Sequence, residues 1–154
     1  MRKKEREITD IIEIESIIQN SDVCRIAMAN GNIPYIVTMN YGYTAGSEMK
    51  IYFHCARQGR KLEMIRKNNY VCFEIDNDHK LIKGTNACDF SMKYRSVVGY
   101  GIISIIDEEE ERIKGLNCIM SHYSDSPSFS YNKKSLEKTT VLCLEIKEIS
   151  GKKC

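Results

Sequence analysis

Apolar positions in this chain follow two periods. Near the start they recur at helical spacing: Ile11, Ile14, Ile17 and Ile18 fall on one face, behind an Asp10–Glu13 pair with the spacing of a capping box. This predicts a helix over 10–20. A second helix is predicted from Asp107 and Glu110 onward, where Ile113, Leu116, Met120 and Tyr123 repeat every three to four residues. The acidic run 107–111 suits the positive end of that helix dipole and needs no functional explanation.

Elsewhere the period is two, or the apolar runs are short and bounded by turn residues. Strands are predicted over 23–28 and 34–39, joined by the hairpin signal Asn30-Gly31-Asn32. A turn over 43–47 leads to a strand at 50–54, followed by strands at 71–75, 94–106 and 141–149. Gly99 and Gly101, inside the long strand, predict a bend or a close backbone approach. Six strands with turn-type links and few helices favour a mainly β class, an antiparallel barrel with flanking helices. A parallel sheet would need a helix after nearly every strand.

Composition changes this picture little. The 154 residues suit one domain, 1–154, able to bury its own core. With 23 basic and 21 acidic side chains the net charge is +2, which offers no electrostatic footprint for nucleic acid. The basic start (Arg2, Lys3, Lys4, Arg6) reads as a solvated face. Residues 1–20 alternate charge with isoleucine, so no export signal is expected, and no stretch has the length to span a bilayer. Seven widely spaced cysteines without a C-x-x-C pair are expected as reduced thiols in the cytoplasm.

Candidate chemistry concentrates at His54-Cys55-Ala56-Arg57-Gln58-Gly59-Arg60-Lys61, which joins a strand to a short helix bearing Leu62 and Ile65. Cations are disfavoured at a helix start, so Arg57, Arg60 and Lys61 there call for a counter-anion. Arginine and lysine heads with first-turn amides form a phosphate site, and Gly59 permits close approach. Spacing alone does not separate this from a solvated basic turn. His54 is either a structural strand-end histidine or, beside such a turn, a proton donor. His79 falls in a polar loop, 76–80, and is expected to be exposed. His122 sits late in the second helix, where an imidazolium suits the dipole. No histidine pairs with cysteine at zinc-ligand spacing, so no metal is expected. In 92–101, Tyr94, Ser96 and Val98 share one face of a strand and Arg95 and Val97 the other. That is either a ligand-facing strand or an amphipathic one with a paired arginine.

An ordered set of segments resembles the nitroimidazole-resistance (Nim-type) branch of the pyridoxamine-phosphate-oxidase-like flavoproteins. The segments are Val23-Cys24-Arg25-Ile26-Ala27-Met28, Ile33-Pro34-Tyr35-Ile36-Val37, Ile51-Tyr52-Phe53-His54-Cys55-Ala56, Gly59-Arg60-Lys61, Asn86-Ala87-Cys88, Met92-Lys93-Tyr94-Arg95-Ser96-Val97-Val98-Gly99 and Glu137-Lys138-Thr139. The resemblance implies a six-stranded antiparallel split β-barrel of the FMN-binding type, forming a homodimer with two flavin sites at its interface. The cofactor it implies is FMN, with FAD as the variant. It implies that Arg60 and Lys61 hold the phosphate, that Val37, Thr38, Met39 and Asn40 lie against the ring, and that Tyr94 and Ser96 add contacts. His54 is implied to line the substrate pocket as the catalytic residue, with His54 or Tyr94 expected to supply a proton to the reduced acceptor. Two departures stand out: Thr38 replaces a frequent proline, and Cys55 replaces a serine, which exchanges a good hydroxyl donor for a weak thiol.

The activity implied is transfer of electrons from a nicotinamide donor, through flavin, to a small acceptor such as a nitro group. A flavin- or haem-binding module without fast turnover, and an interaction protein with an empty barrel, are the competing classes. No arginine–histidine substrate motif follows the last strand, so pyridoxamine phosphate is not the expected substrate.

Overall fold

The structure is a computed structural model that describes residues 3–154; Arg2 lies outside the described residues. A two-residue strand β1 (Glu7–Ile8) precedes helix α1 (Ile11–Gln19). The hairpin β2 (Cys24–Asn30) and β3 (Ile33–Met39) turns at Gly31, whose φ of +58° suits glycine. Strands β4 (Tyr41–Thr44) and β5 (Lys50–Ala56) follow, then helix α2 (Arg60–Lys67). Long strands β6 (Tyr70–Ile82) and β7 (Ser91–Ile106) lead to helices α3 (Glu109–Tyr123) and α4 (Lys133–Lys138), and β8 (Thr139–Lys153) ends the fold.

Every pairing is antiparallel, in the order β3-β2-β6-β7-β8-β5-β4, with β1 on β8. The ends of that order, β3 and β4, are separated in the chain by Asn40 alone. A one-residue link forces the sheet to curl until its edges meet. The edges do not hydrogen-bond to each other, so the barrel is split along this seam. Inside it lie Tyr41, Phe53, Phe73, Ile26, Ile51, Leu142 and Leu144, with Ile17 and Ile18 of α1 and Leu62 of α2 plugging the ends. A smaller cluster, Leu116, Ile119 and Val141, packs α3 onto the outer face of β5 and β8.

The mainly β split barrel is as expected, with eight strands rather than six. Part of the segment predicted as a turn over 43–47 is β4, a strand too short and too glycine-rich to show alternation. The polar loop predicted at 76–80 is the continuation of β6 through a bulge between Asn77 and Lys80, where Asp78 takes φ +57°. Helix α4 went unpredicted because Leu136 is its one apolar residue. At α1, Asp10 does accept from the Ile12 amide at 3.0 Å, but Glu13 reaches Lys153 (3.0 Å) instead of closing the box, and Ile11 is exposed. The close approach predicted at Gly99 and Gly101 is real: the Phe73 ring covers Gly99, and the Glu145 carbonyl covers Gly101 beside a bulge.

Candidate functional site

The seam and the start of α2 come together. Gly59 precedes the helix with φ +137° and ψ 163°, a conformation essentially confined to glycine, and has no side chain to cap the first amides. The Lys61 ammonium lies 3.8 Å from the Met39 sulfur, at the end of β3. The Arg60 guanidinium stacks over Tyr35 of the same strand, 4.8 Å from the ring centre. Cys55 turns towards this corner. Burial pushes its thiol pKa up, and Lys61 is the charge that opposes the shift. Among the described residues, Arg57, Arg60 and Lys61 form no ion pair. Along β3, Tyr35, Val37 and Met39 face inward, while Thr38 and exposed Asn40 face out. The chain thus gathers Met39, Cys55, Arg60 and Lys61, with Val37, Thr38 and Asn40 beside them.

His54 lies elsewhere. Strand alternation sends Phe53 and Cys55 inward and His54 outward. It opens into a pocket of about 130 Å³, otherwise mostly apolar, lined by Leu116, Ile119, Met120, Tyr131, Leu136 and Thr139 among others. Arg112 clamps α4 as a roof by donating to the Leu136 carbonyl and, at 2.7 Å, to the Thr139 carbonyl. Tyr131 donates to Asn117 at 2.9 Å. Sequence reasoning missed Tyr131, Leu136 and Arg112. The one available signal was Asn132, whose side chain caps α4 by accepting from the Ser135 amide at 2.8 Å.

Tyr94 and buried Ser96 occupy a third place, on the outer face of β7. Lys152 donates to the Tyr94 hydroxyl at 2.7 Å. His79, expected to be merely exposed, pairs with Asp76 at 2.6 Å and stacks near Tyr94. Tyr94 and Ser96 point outward from β7 while Met39 and Cys55 point inward, so one chain does not bring them to the Arg60–Lys61 corner. The same outer face carries Arg25 between Glu74 (2.9 Å) and Asp76, and exposed Ile36, Tyr70 and Tyr100. Burial first, then Asp76, holds the Glu74 carboxyl above its ordinary range, against Arg25. Arg95 is paired, with Asp78 at 2.6 Å. His122 bonds the Ser21 carbonyl at 2.8 Å and fixes the end of α3. Among the described residues no cluster of three or more His, Cys, Asp or Glu could hold a metal, and no helix is long and apolar enough to cross a membrane.

A split barrel of this topology defines a recognisable class. The sequence model described as pyridoxamine 5'-phosphate oxidase matches residues 10–153. A 5-nitroimidazole antibiotic resistance protein, so assigned provisionally, from Bacteroides thetaiotaomicron is 33% identical, with a TM-score of 0.83 over 95% of this chain and 85% of that one. The chain therefore belongs to the pyridoxamine 5'-phosphate oxidase family, in its nitroimidazole-resistance branch. Two more distant structures share the fold. The flavocytochrome Anf3 from Azotobacter vinelandii is 18% identical, with a TM-score of 0.80 over 99% of this chain and 72% of that one. An FAD- and haem-binding protein from Mycobacterium smegmatis is 14% identical, with a TM-score of 0.81 over 96% and 73%. No curated protein matches the chain in sequence.

Proposed function

We infer that the protein is a flavin-dependent oxidoreductase that binds FMN, or FAD, and reduces nitroimidazoles or related small acceptors. The observation that carries this is the corner itself. Arg60 and Lys61 stand unpaired at an uncapped helix start, against Met39 of the seam. A flavin phosphate satisfies both the cations and the free amides. The inward-facing Tyr35, Val37 and Met39 offer an apolar wall for the ring, and the backbone at Thr38 and Asn40 offers polar partners for its edge.

When bound, the flavin supplies two-electron chemistry between a reduced nicotinamide donor and the acceptor. The chain's own residues bind, orient and protonate. Arg60, Lys61 and the Gly59 turn fix the phosphate, with the Cys55 thiol as a weak donor beside them. His54, exposed on the outer face of β5, would supply a proton only to an acceptor that reaches its own pocket beneath α4.

The protein works as a homodimer. Tyr94 and Ser96 reach a flavin at the corner only from a second copy, and the uncovered face bearing Ile36, Tyr70 and Tyr100 is the surface that copy covers.

The test is the visible spectrum of the purified protein, chromatography of the released cofactor, and steady-state reduction of a nitroimidazole by NADH or NADPH. Bound flavin with turnover supports the reading. Flavin or haem without turnover leaves a storage or sensing module. A colourless protein that does not take up flavin contradicts the reading.

A further inference from the structure

Tyr94 is held at three points. Its backbone carbonyl accepts from the Cys154 amide at 3.0 Å. Its ring lies alongside that of His79, with 6.4 Å between centres and 21° between planes, and His79 is itself fixed by Asp76 at 2.6 Å. Its hydroxyl oxygen accepts from the Lys152 ammonium at 2.7 Å. Sheet register assembles the group. Asp76 lies opposite Ser96 and Ser96 opposite Lys152, while Tyr94, two residues before Ser96, shares its face of β7.

Lys152 does not take the carboxylate nearest to it in register. Glu7 lies opposite it on β1, yet among the described residues Lys152 forms no ion pair. Instead this half-buried ammonium is directed at a neutral phenol. A partly desolvated charge gains less from a neutral partner than from an opposite charge, so stability does not explain the choice. The hydrogen-bond inventory points to another purpose. A phenol has one proton to donate, and an ammonium has no lone pair to accept it. The Tyr94 O–H is therefore turned away from Lys152, and among the described residues no acceptor receives it. The pair presents a hydroxyl fixed as a donor, with a positive charge directly behind it, on the face that a second copy covers.

We propose that Lys152 is a positioning residue: it makes the Tyr94 hydroxyl an obligatory donor to an acceptor atom of the flavin ring across the dimer interface, and so raises the reduction potential of that ring. The proposal rests on the flavin and homodimer readings above. A flavin ring gains negative charge on reduction, and a donor backed by a cation binds the charged form more tightly than the neutral one. Lys152 acts through the phenol, and the His79–Asp76 pair keeps the ring from swinging away. Retention of the phosphate is left to the Arg60–Lys61 corner, on the other face of the sheet.

The test is the reduction potential of the FMN-loaded protein in the wild type, K152M, K152R, Y94F and Y94F/K152M, with the affinity for oxidised FMN and the circular dichroism measured alongside. K152M is expected to bind oxidised FMN as the wild type does but to lose about tenfold of its preference for the reduced form, a potential about 30 mV lower for a two-electron couple. K152R, which keeps a charged donor, restores the wild-type potential. Y94F lowers the potential as well, and adding K152M to it changes little further. If K152M does not fold, K152Q takes its place in the same comparison. Flavin bound with an unmoved potential in K152M overturns the proposal. So does an equal fall from K152M in the wild-type and Y94F backgrounds, because the cation would then not act through the phenol. A loss of oxidised-FMN affinity that accounts for the whole effect also overturns it, since that is a structural role. A wild-type protein that takes up no flavin overturns the flavin reading and this proposal together, which separates that failure from the others.

Discussion

The two faces of β5 are one residue apart in sequence and belong to different chemistries. Cys55 turns in, to the seam where Met39, Arg60 and Lys61 form a cationic corner. His54 turns out, into an apolar pocket roofed by α4 and clamped by Arg112. A local motif read as one unit is in fact two, because a strand sends neighbouring side chains to opposite faces. On the proposed function, cofactor retention would belong to the inner face and proton delivery to the outer one, so substitutions should uncouple them.

The largest uncoupling is expected from His54→Ala. Loss of a positioned proton donor lowers nitroimidazole turnover by roughly 10²–10⁴-fold, while the visible spectrum stays that of bound flavin. Equal loss of flavin and turnover would erase the distinction between the faces. Gly59→Ala acts on the other side. Nothing lies within 4 Å of the added carbon, so its effect is backbone strain alone. This should cost about 1–3 kcal/mol in thermal unfolding and loosen flavin, with the turnover of the flavin-loaded fraction preserved. Cys55→Ser sharpens the comparison further. A hydroxyl in place of the thiol should tighten flavin by about 1 kcal/mol, roughly fivefold, by equilibrium titration, and leave the His54 pocket unaffected.

The smallest effect lies away from both faces. Burial and Asp76 raise the Glu74 pKa above its ordinary 4.5, against Arg25. Over that interval the native state holds more protons than the unfolded chain, so this group's contribution to stability falls as pH rises from 4.5 through the native value. Glu74→Gln should flatten the decline in melting temperature across the weakly acid range without changing flavin affinity. A melting profile that keeps its slope would show that another group is responsible.

The barrel was legible because most of its strands alternate or run apolar between turn residues. What escaped were elements without periodicity: four residues of β4 containing Gly42, the bulged polar half of β6, and α4 with its single leucine. The Arg57–Lys61 cluster was legible as an anomaly of charge at a helix start, but not the packing of Arg60 and Lys61 against Tyr35 and Met39 of β3. The Tyr94–Ser96 pair was visible as one strand face. Its separation from the corner was not, since that follows from which face of the closed sheet each strand turns inward. The Lys152 contact to Tyr94 joins residues 58 positions apart in sequence, and no local pattern announces it.

Flavin retention in R60E/K61E tests the account most directly. Two charge-assisted contacts at roughly 1.5–3 kcal/mol each predict that FMN affinity falls at least about a hundredfold. The double variant should purify colourless, with the far-ultraviolet circular dichroism of the wild type. A folded variant that keeps its full complement of flavin would contradict the claim that this corner holds the phosphate.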